Sequence, residues 1–124
     1  MADVEPSILI LDQRIAPDTL RLLVAHWFQD MVKYAVDLER ARIAIGGELH
    51  ADAERVLIDA GSRQQDIWGA NYYPGRGREG CVEYTSLINI SPARNNRGME
   101  VTDPDLRARI QWLTWSLIGE GEDL

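Results

Sequence analysis

A change from strand to helix periodicity occurs within the stretch Ile43-Ala44-Ile45-Gly46-Gly47-Glu48-Leu49-His50-Ala51-Asp52-Ala53-Glu54. Before the glycine pair, successive side chains alternate between the two sides, as they do in a strand. From Leu49 the apolar positions recur at helical spacing, and Gly61 follows them as a helix stop. Gly46 and Gly47 supply the backbone freedom that a sharp change of direction needs. The stretch therefore predicts a strand, a tight turn and an amphipathic helix over about residues 48–60.

The segments that precede this stretch predict a strand, a helix and a hairpin. Residues 7–11 are a short apolar run that is typical of a buried strand. Pro17 suits the first turn of a helix, and one apolar stripe follows it at Leu20, Leu23, Val24, Trp27 and Phe28. Residues 32–38 alternate in polarity and predict a strand that turns back into residues 41–45 as a hairpin.

The segments that follow predict more strands and a last helix. Residues 67–73 and 82–90 are predicted to pair as antiparallel strands, and residues 99–101 suggest a short edge strand. Asp103 and Pro104 are typical of a helix start, and Gly119 of a helix end. The fold class is therefore α+β, an antiparallel-dominated sheet with about three helices in the order βαββαββ(β)α.

Length and composition favour one globular domain. The chain has 124 residues, of which 45% are hydrophobic and 27% charged, so we expect a single domain over residues 1–124 with flexible ends at 1–6 and 119–124. No apolar run approaches the roughly 20 residues that cross a bilayer. The first residues are acidic where a secretory signal is basic, and the single Cys81 excludes an internal disulfide. We expect a soluble, cytoplasmic protein.

The net charge of −7 argues against nucleic acid and anionic membranes as partners, because phosphate binding depends on clustered basic residues. Four arginines nevertheless fall in two loops rich in Gly, Pro and Asn: Arg76, Arg78, Arg94 and Arg97. If the two loops lie at the same end of the molecule, they form a local anion site.

The group Glu48, His50, Asp52 and Glu54 combines carboxylates with an imidazole, the groups used for metal binding and proton transfer. On a helix, residues two apart point in nearly opposite directions, so only the pairs Glu48 with Asp52 and His50 with Glu54 can face each other. Two interpretations stay open. The group is an acidic first turn favoured by the helix dipole, or it is a catalytic site that uses His50, Glu48, Glu54 and the more distant Glu83. No cofactor and no bound metal are expected.

A second candidate is the sheet face opposite the helices. With small residues such as Ala35 and Ala44 on it, this face is an ordinary solvated surface, a self-association surface or a shallow ligand groove. The candidate ligand-binding residues are Trp68, Asn71, Asn89, Arg94 and Arg97.

Four segments together resemble a known family. They are residues 46–54 (Gly46-Gly47-Glu48-Leu49-His50-Ala51-Asp52-Ala53-Glu54), 68–74 (Trp68-Gly69-Ala70-Asn71-Tyr72-Tyr73-Pro74), 85–92 (Thr85-Ser86-Leu87-Ile88-Asn89-Ile90-Ser91-Pro92) and 96–101 (Asn96-Arg97-Gly98-Met99-Glu100-Val101). The chain resembles a family of small uncharacterised proteins of bacteria, including cyanobacteria, that is a domain of unknown function. The resemblance implies membership and no activity.

The leading hypothesis for function is a small binding or protein-interaction module that forms a homo-oligomer, such as a homodimer. It rests on the lack of a convergent catalytic set and on the number of tryptophans: Trp27, Trp68, Trp112 and Trp115. A small-molecule ligand stays open. The alternative is a small enzyme, metal-dependent in one version, that uses the acidic and His group at the second helix. Gly47→Val is predicted to destabilise the domain and His50→Ala to change stability little.

Overall fold

A computed structural model describes residues 7–124; the expected flexibility of residues 1–6 lies outside the described residues. Five strands form one antiparallel sheet in the order β1-β3-β2-β4-β5. The strands are β1 (Leu9–Leu11), β2 (Val32–Asp37), β3 (Arg42–Ile45), β4 (Ile67–Tyr72) and β5 (Val82–Glu83). The helices of this range are α1 (Pro17–Trp27), α2 (His50–Asp59), α3 (Gly77–Gly80) and α4 (Pro104–Leu117). The predicted α+β class and antiparallel sheet are confirmed.

The helix number differs slightly from the prediction of about three. The additional helix, α3, is a single turn inside the loop between β4 and β5. Gly75 and Gly77 have φ values of 79° and 76° there, so the chain folds back on itself before it enters β5.

The hairpin of β2 and β3 places Tyr34 opposite Ile45 and Asp37 opposite Arg42. Its turn lacks an Asn-Gly pair, and two other features close it. The carboxylate of Asp37 accepts a hydrogen bond from the Arg40 backbone N–H at 3.0 Å, and Ala41 takes a left-handed φ of 53°. Side-chain capping thus replaces the usual turn sequence.

Helices cover both faces of the sheet. On one face α1 and α4 pack against large residues of the strands, with Tyr34, Val36, Ile43 and Ile45 completely buried. On the other face α2 packs against the small residues Ala35 and Ala44 through its own Ala53 and Leu57. The interpretation of this second face as a solvated or self-associating surface is therefore wrong at its centre. The small residues there let α2 approach the sheet.

The predicted strand over residues 82–90 is largely wrong, because only Val82 and Glu83 pair with β4. Thr85 makes an isolated bridge to Glu100, so the edge strand expected at residues 99–101 is reduced to one bridge. Residues 87–89 form a 3₁₀ turn, in which the Ser86 hydroxyl accepts a hydrogen bond from the Ile88 N–H at 3.2 Å. This side-chain cap competes with the strand ladder.

The end of the chain packs against the loop that contains α3. Gly121 is buried, and its N–H donates to the Tyr72 hydroxyl at 2.9 Å. The Gly121 carbonyl accepts from the N–H groups of Gly75 and Gly77 at 3.1 and 3.0 Å. The expected flexibility of residues 119–124 stays a prediction, as does the single-domain organisation. Within residues 7–124, no helix has the length and apolarity that crossing a membrane requires.

Candidate functional site

A pocket of about 310 Å³ lies between the start of α2 and the segment that follows β5. We call it the α2 pocket. Its lining combines polar residues of β2, α2, β4 and the segment after β5 with apolar residues at Leu49, Leu87 and Met99. The lining residues are Lys33, Leu49, His50, Ala51, Asn71, Thr85, Ser86, Leu87, Ile88 and Met99.

The glycine pair places His50 at this pocket. Gly46 and Gly47 have φ values of 111° and 96°, which turn the chain out of β3. The Asp52 carboxylate then accepts a hydrogen bond from the Leu49 N–H at 3.3 Å and caps α2. His50 is the first residue of the helix, and its ring reaches back to β4. The predicted strand, turn and helix are observed, with the helix beginning at His50 instead of about residue 48.

Hydrogen bonds fix the tautomer of His50. Its Nε2 lies 2.8 Å from Asn71 Oδ1 and 3.0 Å from the Ala70 carbonyl oxygen, and both of these atoms are acceptors. The amide of Asn71 is oriented by Glu83, whose Oε1 accepts from Asn71 Nδ2 at 2.7 Å. A flipped amide would put two oxygens against each other. Nε2 therefore carries the ring proton, and Nδ1 is left as an acceptor when the ring is neutral.

The imidazole is neutral near pH 7. Burial lowers the pKa of His50 below its usual value of 6.5, although the hydrogen bonds to Ala70 and Asn71 oppose this shift. The ammonium of Lys33 lowers the pKa further, and the carboxylate of Glu83 raises it. A neutral, oriented imidazole can accept a hydrogen bond or take up a proton.

The mouth of the α2 pocket is apolar and exposed. Leu49, Leu87 and Met99 have exposed fractions of 56%, 69% and 42%. Leu49 and Met99 are not among the site residues expected from the sequence, because Leu49 begins the apolar stripe of the predicted helix and Met99 lies in the predicted edge strand. Leu87 falls on the sheet face that is the second candidate surface, in a predicted regular strand. The 3₁₀ turn brings Leu87 and Ile88 to the pocket instead.

The structure brings together two of the four catalytic candidates. His50 and Glu83 are linked through Asn71. The side chain of Glu48 is not part of this chain of hydrogen bonds, and its backbone carbonyl accepts from Lys33 Nζ at 2.9 Å. Glu54 lies further along α2, where burial raises its pKa and the nearby Gln64 and Arg94 lower it. Among residues 7–124, no three His, Cys, Asp or Glu side chains are grouped so that they could hold a metal ion.

Of the five ligand-binding candidates, the structure places Asn71 in the α2 pocket. The Asn89 side chain is buried and bonds to the Gly69 N–H at 2.8 Å and the Gly69 carbonyl at 3.0 Å. The Arg94 guanidinium stacks 3.7 Å from the centre of the Trp68 ring and donates to the Ile67 carbonyl at 2.6 Å. These contacts hold the fold together.

The loop arginines are mostly engaged by aromatic rings. Arg76 lies over Tyr73 at 3.9 Å, and Arg78 lies over Trp115 at 4.1 Å and pairs with Glu120. Arg97 is exposed. The anion site expected from these arginines stays a prediction.

A second apolar feature surrounds Trp112 on α4, whose side chain is 68% exposed. Beside it lies a groove of about 330 Å³, which we call the Trp112 groove. Its lining residues are Leu38, Ala41, Ala108, Arg109, Trp112 and Leu113.

Comparison with known proteins identifies a family and no function. No curated protein and no solved structure matches the chain. The family described as "Protein of unknown function (DUF5674)" matches residues 9–117, which include all residues of the α2 pocket. The expected relationship to a domain of unknown function is thus confirmed. The chain belongs to the DUF5674 family.

Proposed function

We propose that the protein is a small ligand-binding domain and that the α2 pocket is its binding site. The observation that carries this proposal is the chain of hydrogen bonds Glu83–Asn71–His50, which ends at a pocket with an apolar mouth. Ligand sites are typically concave and mostly apolar, with a few placed polar groups and volumes from roughly 300 Å³ upward. A residue with a shifted pKa in such a pocket adds support.

The exposed leucines also support the proposal. Leaving Leu49 or Leu87 in water forgoes about 1.5–3 kcal/mol that complete burial of such a side chain would give. A ligand seated between them would recover part of this free energy. Their position at the rim of a pocket that also contains His50 distinguishes them from single exposed apolar residues, which are common.

A fragment screen followed by amide NMR tests this proposal. We expect bound fragments to shift the resonances of residues that line the α2 pocket and to raise the melting temperature. Ala51→Phe, on the exposed side of α2, should fill the pocket and abolish binding. Ala25→Phe is the matched control, because Ala25 is also an exposed helical alanine and lies on α1, away from the α2 pocket and the Trp112 groove. Fragments that bind only elsewhere, or no binding at all, would contradict the proposal.

A small enzyme is the second candidate, and the fixed tautomer of His50 favours it. In this version the neutral Nδ1 takes a proton from a substrate or a water, while Asn71 and Glu83 hold the ring. A panel of ester, amide and phosphoester substrates tests it. We expect His50→Gln to reduce any turnover by at least about 100-fold, with His26→Gln as the control, because His26 is exposed on α1. Turnover that survives His50→Gln, or no turnover of any substrate, would contradict it.

We also propose that the protein acts as a homodimer through the Trp112 groove. Trp112 and the groove are adjacent, so a two-fold axis would let each copy insert its Trp112 into the groove of the other. Light scattering at tens of micromolar tests this, with Trp112→Lys expected to give a monomer. Leu22→Lys is the matched control, because Leu22 is 67% exposed on α1. A wild-type monomer would remove the proposal.

A cytoplasmic location in a bacterium is part of the proposal as well. It is supported by the single cysteine and by the four segments that resemble a bacterial family. The net charge of −7 supports the absence of nucleic-acid binding. Cell fractionation and a gel-shift titration at low salt are the corresponding measurements.

A further inference from the structure

We infer that the ligand of the α2 pocket is an uncharged apolar molecule with one N–H or O–H group, which donates a hydrogen bond to His50 Nδ1. This inference rests on the proposed function and names the class of ligand. It follows from the hydrogen-bonding atoms that the side chains lining the pocket still offer to a ligand.

Both polar atoms of the Asn71 side chain already have partners within the protein. Its Oδ1 accepts from His50, and its Nδ2 donates to Glu83 at 2.7 Å and to the Thr85 carbonyl at 3.4 Å. The hydroxyls of Thr85 and Ser86 also line the pocket, and the Ser86 hydroxyl accepts from the Ile88 N–H. A hydroxyl can both donate and accept, so neither of them selects between donor and acceptor ligands. Among residues 7–124, no donor bonds to His50 Nδ1, since both hydrogen bonds of the ring are made by Nε2. This nitrogen is an acceptor, so it selects a donor.

The charges around the pocket disfavour ionic ligands. None of the lining residues is acidic, and the Glu83 carboxylate behind Asn71 is already bonded to the Asn71 amide at 2.7 Å, so a cation would meet no carboxylate in the pocket wall. Lys33 is the basic residue of the lining, and its ammonium is already held by the Glu48 carbonyl at 2.9 Å and lies 4.9 Å from the centre of the Phe28 ring. An anion would also be desolvated against Leu49, Leu87 and Met99, which is unfavourable. An uncharged donor on an apolar ring or chain fits both the walls and the polar atom.

The tautomer can be measured without any ligand. Nitrogen-15 NMR of the imidazole should show that Nε2 of His50 is protonated and Nδ1 is not at pH 7.5. Protonation of Nδ1 instead would overturn the inference. At low pH the ring gains this proton and loses the acceptor; the charged groups that face it are Lys33 from β2 and Glu83 from β5. Selectivity for donors should therefore be lost in acid.

Matched probes test the selectivity. We would titrate the full chain with indole and 1-methylindole, and with p-cresol and 4-methylanisole, and follow the amide resonances of the pocket. Each donor should bind about tenfold more tightly than its methylated partner, as expected for one hydrogen bond worth about 1.4 kcal/mol. Indole-3-acetate, which is anionic, should bind more weakly than indole. His50→Phe, which keeps a ring and removes the acceptor, should abolish the difference within each pair.

The outcomes separate this inference from the proposed function. Equal binding of donor and methylated probes in the α2 pocket would overturn the inference and leave the binding site in place. Tighter binding of indole-3-acetate would also overturn it, in favour of anions held by Lys33. If neither these probes nor any fragment perturbs the pocket, both the inference and the proposed function fail. The comparison within each pair uses the wild-type chain, so it stands even if His50→Phe does not fold.

Discussion

The centre of the sheet and the segment over residues 84–101 are held together in different ways. At the centre, β2 forms continuous backbone ladders with both β3 and β4, and side chains such as Tyr34 and Val36 are completely buried. In the segment over residues 84–101, side-chain amides satisfy much of the backbone. Asn96 Nδ2 alone bonds to the carbonyls of Asn89, Gly98 and Glu100 at 3.0, 3.0 and 3.1 Å.

This difference shows where the stability of each region resides. A ladder distributes its hydrogen bonds over many residues, so any one side chain contributes through the apolar area it buries. The segment over residues 84–101 depends on two side-chain amides, those of Asn89 and Asn96, because each of them bonds to several backbone groups. Single substitutions should therefore have unequal effects in the two regions.

The largest effect is expected for Asn89→Ala. It would leave the buried N–H and C=O of Gly69 without their side-chain partners, and each such group costs about 1–3 kcal/mol. We predict a loss of about 4 kcal/mol in the free energy of unfolding, measured with urea. Asn95→Gly is the control, because Asn95 is exposed and has a left-handed φ of 59° that glycine tolerates. It should change stability by less than about 0.5 kcal/mol. Equal effects of the two substitutions would contradict the role assigned to the amides.

Gly47→Val should have the next largest effect, in the more regular region. Gly47 has a φ of 96°, and a Cβ there would lie 3.0 Å from Ile8 Cδ1. The left-handed backbone costs a non-glycine residue about 1–2 kcal/mol, and a β-branched side chain adds to this. We predict a loss of about 3 kcal/mol in chemical denaturation. Gly98→Val is the control, since a Cβ at Gly98 meets nothing within 4 Å. If Gly47→Val were silent, the turn would not depend on glycine.

A smaller effect is expected for His50→Ala at the boundary between the two regions. The substitution removes the donor to Asn71 Oδ1 and the Ala70 carbonyl, which should cost about 1 kcal/mol. His26→Ala is the matched control, because His26 is exposed on α1. A loss of more than about 3 kcal/mol for His50→Ala would identify His50 as a structural core residue and weaken both proposed functions.

The smallest expected effect is a change in the pH dependence of the free energy of unfolding. The pKa of His50 is lower in the folded chain than its usual 6.5, so the unfolded chain binds the proton at a higher pH. Stability should therefore fall as the pH drops through about 6.5 toward the folded pKa. His50→Gln cannot titrate and should flatten this part of the profile, measured with urea between about pH 7.5 and 5.5. An unchanged slope would show that the His50 pKa is not shifted.

Most of the regular fold could be predicted from the sequence, because burial imposes a period on it. Residues 43–61 show this best: the alternation before Gly46 and the helical spacing after Leu49 both reflect one buried side. Residues 82–90 also alternate, yet the chain leaves the sheet after Glu83. Gly69 explains part of the difference. A Cβ at Gly69 would lie 2.7 Å from Ser86 Cβ, so the segment after β5 packs closely against β4 at this glycine. A close approach of this kind leaves no periodic pattern in the sequence.

The residues of the α2 pocket could be predicted in part from the sequence, but the contacts between them could not. His50, Glu83 and Asn71 were each candidates, but their connection depends on the start of α2 meeting β4 beside β5. Pairing at helical spacing would have joined His50 to Glu54 instead. The first residue of a helix lies next to whatever the preceding turn approaches, and that neighbour is set by the tertiary fold.

The two edges of the sheet also have a consequence for behaviour at high concentration. β1 has three residues and β5 has two, and they are the shortest strands of the sheet. An edge this short offers an incoming chain very few free backbone groups to pair with, which is one way that natural proteins avoid edge-to-edge aggregation. Concentrated solutions of the protein should therefore resist the growth of cross-β fibres, and any dimer should form through side chains on a helix and leave the sheet unextended.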